Sequence, residues 1–89
     1  MTEVADLNGD RLLLVHGELD IATAPKLATL LDRLRALNHA VAVDLKEVTF
    51  MDSTGLATLL EAHVELRSPS AAVKRVFELA GLARLLADG

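Results

Sequence analysis

The chain has 89 residues, enough for one domain and too few for two, and 52% of them are hydrophobic although only Phe50 and Phe77 are aromatic. That scarcity of aromatics excludes base-stacking platforms and aromatic cages, and a net charge of −4 excludes the basic surface a nucleic acid needs. There is no cysteine, no apolar run near the ~20 residues of a membrane span, and no basic-then-apolar start of the secretory kind, so a cytoplasmic protein without disulfides or thiolate metal sites is expected.

In chain order, Asn8-Gly9 lies between two apolar-containing stretches and is the strongest short hairpin signal, because a type I′ turn needs positive φ at both central residues. It predicts a first strand near residues 3–7 and a second near 11–16. Residues 17–20 read as a loop. Thr23 or Ala24 before Pro25 suits a first helical turn, and Leu27, Leu30, Leu31 and Leu34 form one apolar helix face ending near Asn38. Residues 41–45, short and rich in β-branched side chains, predict a buried strand. Residues 51–55 are the next break, and Leu56, Leu59 and Leu60 start a second helix. Ser70 predicts an N-cap for a third helix over 71–80, with Val73, Val76, Phe77 and Ala80 facing the core and Gly81 closing it in a left-handed conformation. A short helical piece over 82–86 ends the pattern.

Residues 62–68 fit two readings. Val64 and Leu66 alternate with Glu65 and Arg67, as in a strand, whereas Leu56, Leu60 and Val64 fit a continued helix. The order strand, strand, helix, strand, helix, (strand), helix predicts an α/β domain: a mixed sheet of about four strands against three to four helices.

Candidate chemistry concentrates at Asp52-Ser53-Thr54-Gly55-Leu56, a strand-to-helix junction. Ser53 there has an ordinary explanation as a helix cap, and Asp52 can serve as cap or dipole partner. The same position suits a switch. A hydroxyl at such a turn is exposed on a rigid support, and a phosphate brings about −1.5 to −2 charges. The helix N-terminus tolerates that anion, while an apolar or acidic partner surface does not. His16, His39 and His63 have neither the spacing nor the neighbours of metal ligands. Lys74 and Arg75 read as the solvated side of a helix, and a phosphate-pairing role for them has no support in the sequence. No dinucleotide or Walker spacing occurs, so no cofactor is expected, and no nucleophile–base–orienter set is legible, so no enzyme is expected.

Three segments resemble the STAS domain and, within it, the bacterial anti-sigma-factor antagonists: GELDIATA at 17–24, VDLKEVTFMDSTGL at 43–56, and SAAVKRVFELAGL at 70–82. The middle one is the specific one; the others reinforce it by order and spacing. The resemblance implies a single STAS domain over 1–89, with Ser53 as phosphoacceptor and Thr54 as a second, weaker acceptor. It also implies a partner surface including Asp20, Asp52, Ser53, Thr54 and Gly55. For Asp20 the ordinary alternative is an exposed loop acid before a helix.

The implied partner is an anti-sigma factor with ATP-dependent serine kinase activity. It is bound when Ser53 is unmodified and released on phosphorylation, with a phosphatase resetting the switch. A second reading keeps the fold and makes the chain a non-switching STAS adaptor of a larger complex, for lipid transport or stressosome-like.

The sequence departs from the family after the second helix. Glu61-Ala62-His63 runs almost directly into Val64 to Pro69, where family chains have a longer helix, a Gly-containing loop and a strand. Either the helix ends near Ala62 and a short fourth strand survives, or the helix continues and the strand is lost. The second outcome leaves a sheet edge open and invites a homodimer.

Overall fold

The computed structural model describes residues 2–7, 10–37 and 40–86; the expected Asn8-Gly9 turn, Asn38 and His39 lie outside them. Strands β1 (Thr2–Leu7), β2 (Asp10–Leu19), β3 (Val41–Met51) and β4 (Glu65–Arg67) form one sheet in the order β1-β2-β3-β4. β1 and β2 pair antiparallel from Thr2 opposite Val15 to Leu7 opposite Asp10, while β2–β3 and β3–β4 are parallel. Helices α1 (Ala24–Ala36), α2 (Ser53–Ala62) and α3 (Ala71–Leu79) and a 3-10 turn at Ala83–Leu85 complete the fold.

One core joins these elements. Leu13, Val15 and Leu19 of β2, Val43, Leu45, Val48 and Met51 of β3, and Leu66 of β4 meet Leu27 and Leu31 of α1, Leu59 and Ala62 of α2, and Val73 and Phe77 of α3. Full burial of one such side chain contributes about 1.5–3 kcal/mol. On α1, Leu27, Leu31 and Leu34 are buried and Leu30 half-buried, as the spacing requires. The Ser70 side chain caps α3 by accepting the Val73 N–H at 3.3 Å. α3 closes with Gly81 at φ 74, the Gly81 N–H donating to the Glu78 carbonyl and the Leu82 N–H to the Phe77 carbonyl. That is the double hydrogen bond of a Schellman end, which needs a left-handed residue at Gly81. Ala80, expected in the core, is exposed, because α3 ends one residue before it.

Two sequence expectations were too short. β2 continues through Gly17-Glu18-Leu19, read as loop, and β3 continues from Leu45 to Met51. The reason is irregular pairing. The register slips between the Leu14 and His16 pairs and again between the Gly17 and Glu18 pairs, each time adding one residue to β3. The buried positions of β3 therefore pass from Val43 and Leu45 to Val48 and then Met51, which breaks the period-2 pattern. The Asp44 carboxylate, buried within the strand, accepts the Lys46 N–H at 2.9 Å and holds the first bulge.

The ambiguity at residues 62–68 resolves in favour of the short helix and the surviving strand. His63 sits at φ 54, ψ 44 and terminates α2 in a left-handed conformation normally supplied by glycine. β4 then pairs Glu65, Leu66 and Arg67 with Ala42, Val43 and Asp44. A lost strand therefore gives no ground for a homodimer. Glu65 and Arg67 are exposed on this short strand, and the Arg67 guanidinium hydrogen-bonded to Glu65 holds its carboxyl below the usual range. Charged side chains on a three-residue edge discourage pairing with another chain. Among the described residues, no helix is long and apolar enough to cross a membrane.

Candidate functional site

β2 and β3 run parallel and end level, Leu19 opposite Met51. The next residues, Asp20 and Asp52, lead into α1 and α2. The C-terminal ends of parallel strands are where α/β folds present their sites, because loops and helix N-termini converge there.

Asp52 ties this end together. Its backbone N–H donates to the Leu19 carbonyl at 3.3 Å. One carboxylate oxygen, Oδ1, accepts the Gly55 N–H at 3.0 Å and caps α2. The other, Oδ2, accepts the Ile21 N–H at 3.3 Å, across 31 residues of sequence. A single carboxylate thus caps one helix and holds the loop that leads into the other. The Asp52 carbonyl accepts the Leu56 N–H at 3.0 Å.

With Asp52 as cap, the ordinary explanation of Ser53 is corrected. Ser53 is the first residue inside α2 and is exposed, and its side chain makes no hydrogen bond among the described residues. Thr54 is half-buried beside it. Gly55 is buried, and a Cβ on it would lie 2.4 Å from the Leu19 carbonyl oxygen, so α2 reaches this close to β2 only because residue 55 has no side chain.

Asp20 is half-buried and more than a loop acid. Its Oδ1 accepts the N–H groups of Ala22 at 3.0 Å and Thr23 at 3.1 Å. The Thr23 hydroxyl accepts the Asp20 N–H and donates to the Glu18 carbonyl, both at 2.9 Å. This reciprocal Asp-x-x-Thr arrangement replaces backbone bonds ahead of α1. In the sequence Thr23 stands out only for its place before Pro25; the three-residue spacing from Asp20 is the signal of its further role.

Of the remaining candidates, His16 lies 3.9 Å from Glu47, and His63 closes α2 at the end away from Ser53, about 15 Å along the helix at 1.5 Å per residue. The described residues contain no group of three or more potential metal ligands. Lys74 and Arg75 are exposed on α3.

This geometry predicts the effect of removing the tie. Asp52→Ala should lose about 1–2 kcal/mol, the usual cost of an N-cap, and hydrogen exchange at the Ile21 amide should speed up. Asp52→Asn retains an acceptor for Gly55 but turns an NH₂ group toward the Ile21 N–H, so it should recover much of the stability and not the Ile21 protection. Unchanged exchange at Ile21 in Asp52→Ala would contradict the tie.

The fold and site define a small mixed-sheet α/β domain with a hydroxyl-bearing helix N-terminus at the carboxyl end of its parallel strands. The STAS domain family matches residues 2–87, and the chain belongs to that family. It is similar to the anti-sigma-B factor antagonist of Listeria monocytogenes, 32% identical over 95 residues that cover 94% of this chain and 83% of that protein. The aligned length exceeds the 89 residues of this chain, so the relative carries residues this chain lacks. Among solved structures, an anti-sigma factor antagonist from Mycobacterium paratuberculosis superposes with a TM-score of 0.86 at 27% identity, covering 97% of this chain and 81% of that one. The unphosphorylated anti-sigma factor antagonist SpoIIAA shares the fold, with a TM-score of 0.84 at 19% identity over 100% of this chain and 88% of that one.

Proposed function

We propose that this chain, acting as one STAS domain over 1–89, is an anti-sigma-factor antagonist whose binding is switched at Ser53. Unmodified, it binds an anti-sigma factor and so releases a sigma factor. That anti-sigma factor, with ATP-dependent serine kinase activity, phosphorylates Ser53 and lets go, and a phosphatase restores the antagonist. The setting is the cytoplasm, and the chain acts by binding rather than by catalysis.

One observation carries the reading: Ser53 is exposed and uncommitted because Asp52 does the capping. A phosphate on that hydroxyl falls at a helix N-terminus, where an anion is favourable by about 0.3–1 kcal/mol, so modification leaves the domain folded. Asp20, Asp52, Thr54 and Gly55 then form the frame of the partner surface. The relatives named as anti-sigma-B factor antagonists support the same role.

The test is incubation of the chain with each ATP-binding anti-sigma factor of the source genome, with ATP, followed by phosphate mapping by mass spectrometry. Phosphate on Ser53 and an ATP-sensitive complex are expected. A complex with a non-kinase assembly and no modification would instead make the chain a non-switching adaptor.

A further inference from the structure

The sheet has two faces, and the helices use one. Side chains alternate between the faces along a strand. Leu13, Val15 and Leu19 of β2 lie in the core, where they meet buried residues of α1, α2 and α3. Leu12, Leu14, His16 and Glu18 therefore point to the opposite side. Leu12 and Leu14 are half-buried, yet they belong neither to the core nor to the side chains packed against it. On β3 the register sets Ala42, Asp44, Glu47 and Phe50 beside these four. Phe50, the partner of Glu18, is 50% exposed there. Isolated exposed apolar side chains are ordinary, but Leu12, Leu14 and Phe50 share one face that no helix covers among the described residues.

Charge and shape say what fits this face. Its cations are already directed to acids: Lys46 lies 3.9 Å from Asp44, and Arg67 is bonded to Glu65. Glu18 and Glu47, on either side of Phe50, have no Lys or Arg against them among the described residues; Glu47 has His16 at 3.9 Å. The surplus is acidic, which suits a cationic partner and repels anionic lipid, nucleic acid or the same face of a second copy. β2 has 10 residues and is about 33 Å long at ~3.3 Å per residue, while four strands at ~4.8 Å spacing are only about 14 Å across. One helix with its side chains is ~10–12 Å wide, so the face has the proportions of a bed for a single helix laid along the strands.

We propose that the outer face of the sheet is a second docking surface, which takes a basic amphipathic helix of a partner protein. The apolar stripe of that helix covers Leu12, Leu14 and Phe50, and its Lys or Arg residues meet Glu18 and Glu47. The surface lies across the sheet from α2, so it is separate from the Ser53 junction and does not depend on the antagonist reading. A partner held there leaves that junction open in either state of Ser53.

The probe is a synthetic peptide with leucines at helical spacing and lysines elsewhere, titrated by calorimetry and by amide chemical shifts of the labelled chain. The same pattern with glutamate for lysine is the charge control. The lysine peptide is expected to bind, weaken with salt, and shift amides of β2 and β3 at Leu12, Leu14 and Phe50 more than those of the helices; the glutamate peptide should not bind. Phe50→Ser should weaken binding about tenfold or more, the range of an interface hot spot, with its thermal midpoint near wild type because the side chain is half exposed. Glu18→Gln combined with Glu47→Gln should weaken it and flatten the salt dependence. Leu79→Ser, 79% exposed on α3, is the control and should stay within about twofold. No binding of the lysine peptide, shifts concentrated on the helices, or wild-type affinity in Phe50→Ser overturns the proposal. So does a dimer in sedimentation that Phe50→Ser dissolves, since a second copy would then be the occupant.

Discussion

Ser53→Glu is expected to weaken binding to the anti-sigma factor by about 10–100-fold, while Ser53→Ala binds at full strength and stays bound when ATP is added. The effect is local. Ser53 is the first residue of α2 and is exposed, so neither substitution removes a core contact or a cap. The Glu variant places a carboxylate next in the chain to Asp52, whose own carboxylate caps α2 there, and the partner must then desolvate it. Misplaced charge in an interface costs up to several kcal/mol, and about 1.4 kcal/mol is a factor of ten. Phosphate carries about twice the charge of Glu and should exceed its effect. The free Ser53→Glu chain should melt at or slightly above the wild-type temperature, because an acid in the first turn suits the helix dipole. Equal binding by the two variants would contradict a charge switch.

Gly55→Ala is expected to lower stability, against the ordinary rule for a glycine inside a helix. In an exposed helix that change stabilises by about 1 kcal/mol. Here the added Cβ would meet the Leu19 carbonyl oxygen at 2.4 Å and Leu19 Cγ at 2.9 Å. The Leu19 side chain is itself fully buried, and its carbonyl accepts the Asp52 N–H, so neither atom yields without moving β2 or α2. Overpacking of this kind costs about 1–3 kcal/mol, and a domain this size loses about 4–8 °C per kcal/mol. A thermal midpoint lower by about 5–15 °C is expected by circular dichroism at 222 nm. Because the displaced segment carries Ser53, the variant should also be phosphorylated more slowly. A raised midpoint would show that the close approach of α2 to β2 is not what residue 55 is selected for.

The sequence makes local signals legible and long-range ones not. The Leu27, Leu31 and Leu34 face of α1 and the Ser70 cap and Gly81 end of α3 obey rules that act within a few residues, and each is where those rules put it. The ends of β2 and β3 escaped because two bulges shift the buried set from Leu45 to Val48 and Met51, and no fixed period can follow that. The end of α2 escaped because His63, not a glycine, takes the left-handed cap.

At the site, Asp52 to Gly55 was recognisable as a motif. What Asp52 does was not, since its bond to Ile21 spans the whole of α1 and β3. The exposure of Ile21 and Phe50 is not legible in sequence for a related reason. In a chain with 52% hydrophobic residues, which apolar side chains stay outside is decided by register.

The most direct measurement uses one preparation of the chain in two states. The anti-sigma factor is titrated by calorimetry with protein fully phosphorylated at Ser53, verified by mass spectrometry, and with the same protein after treatment with a serine phosphatase. The account predicts that dephosphorylation restores affinity by at least about 100-fold, with unchanged circular dichroism in both states. Equal affinity of the two states, or phosphate found on Thr54 with Ser53 unmodified, would contradict it.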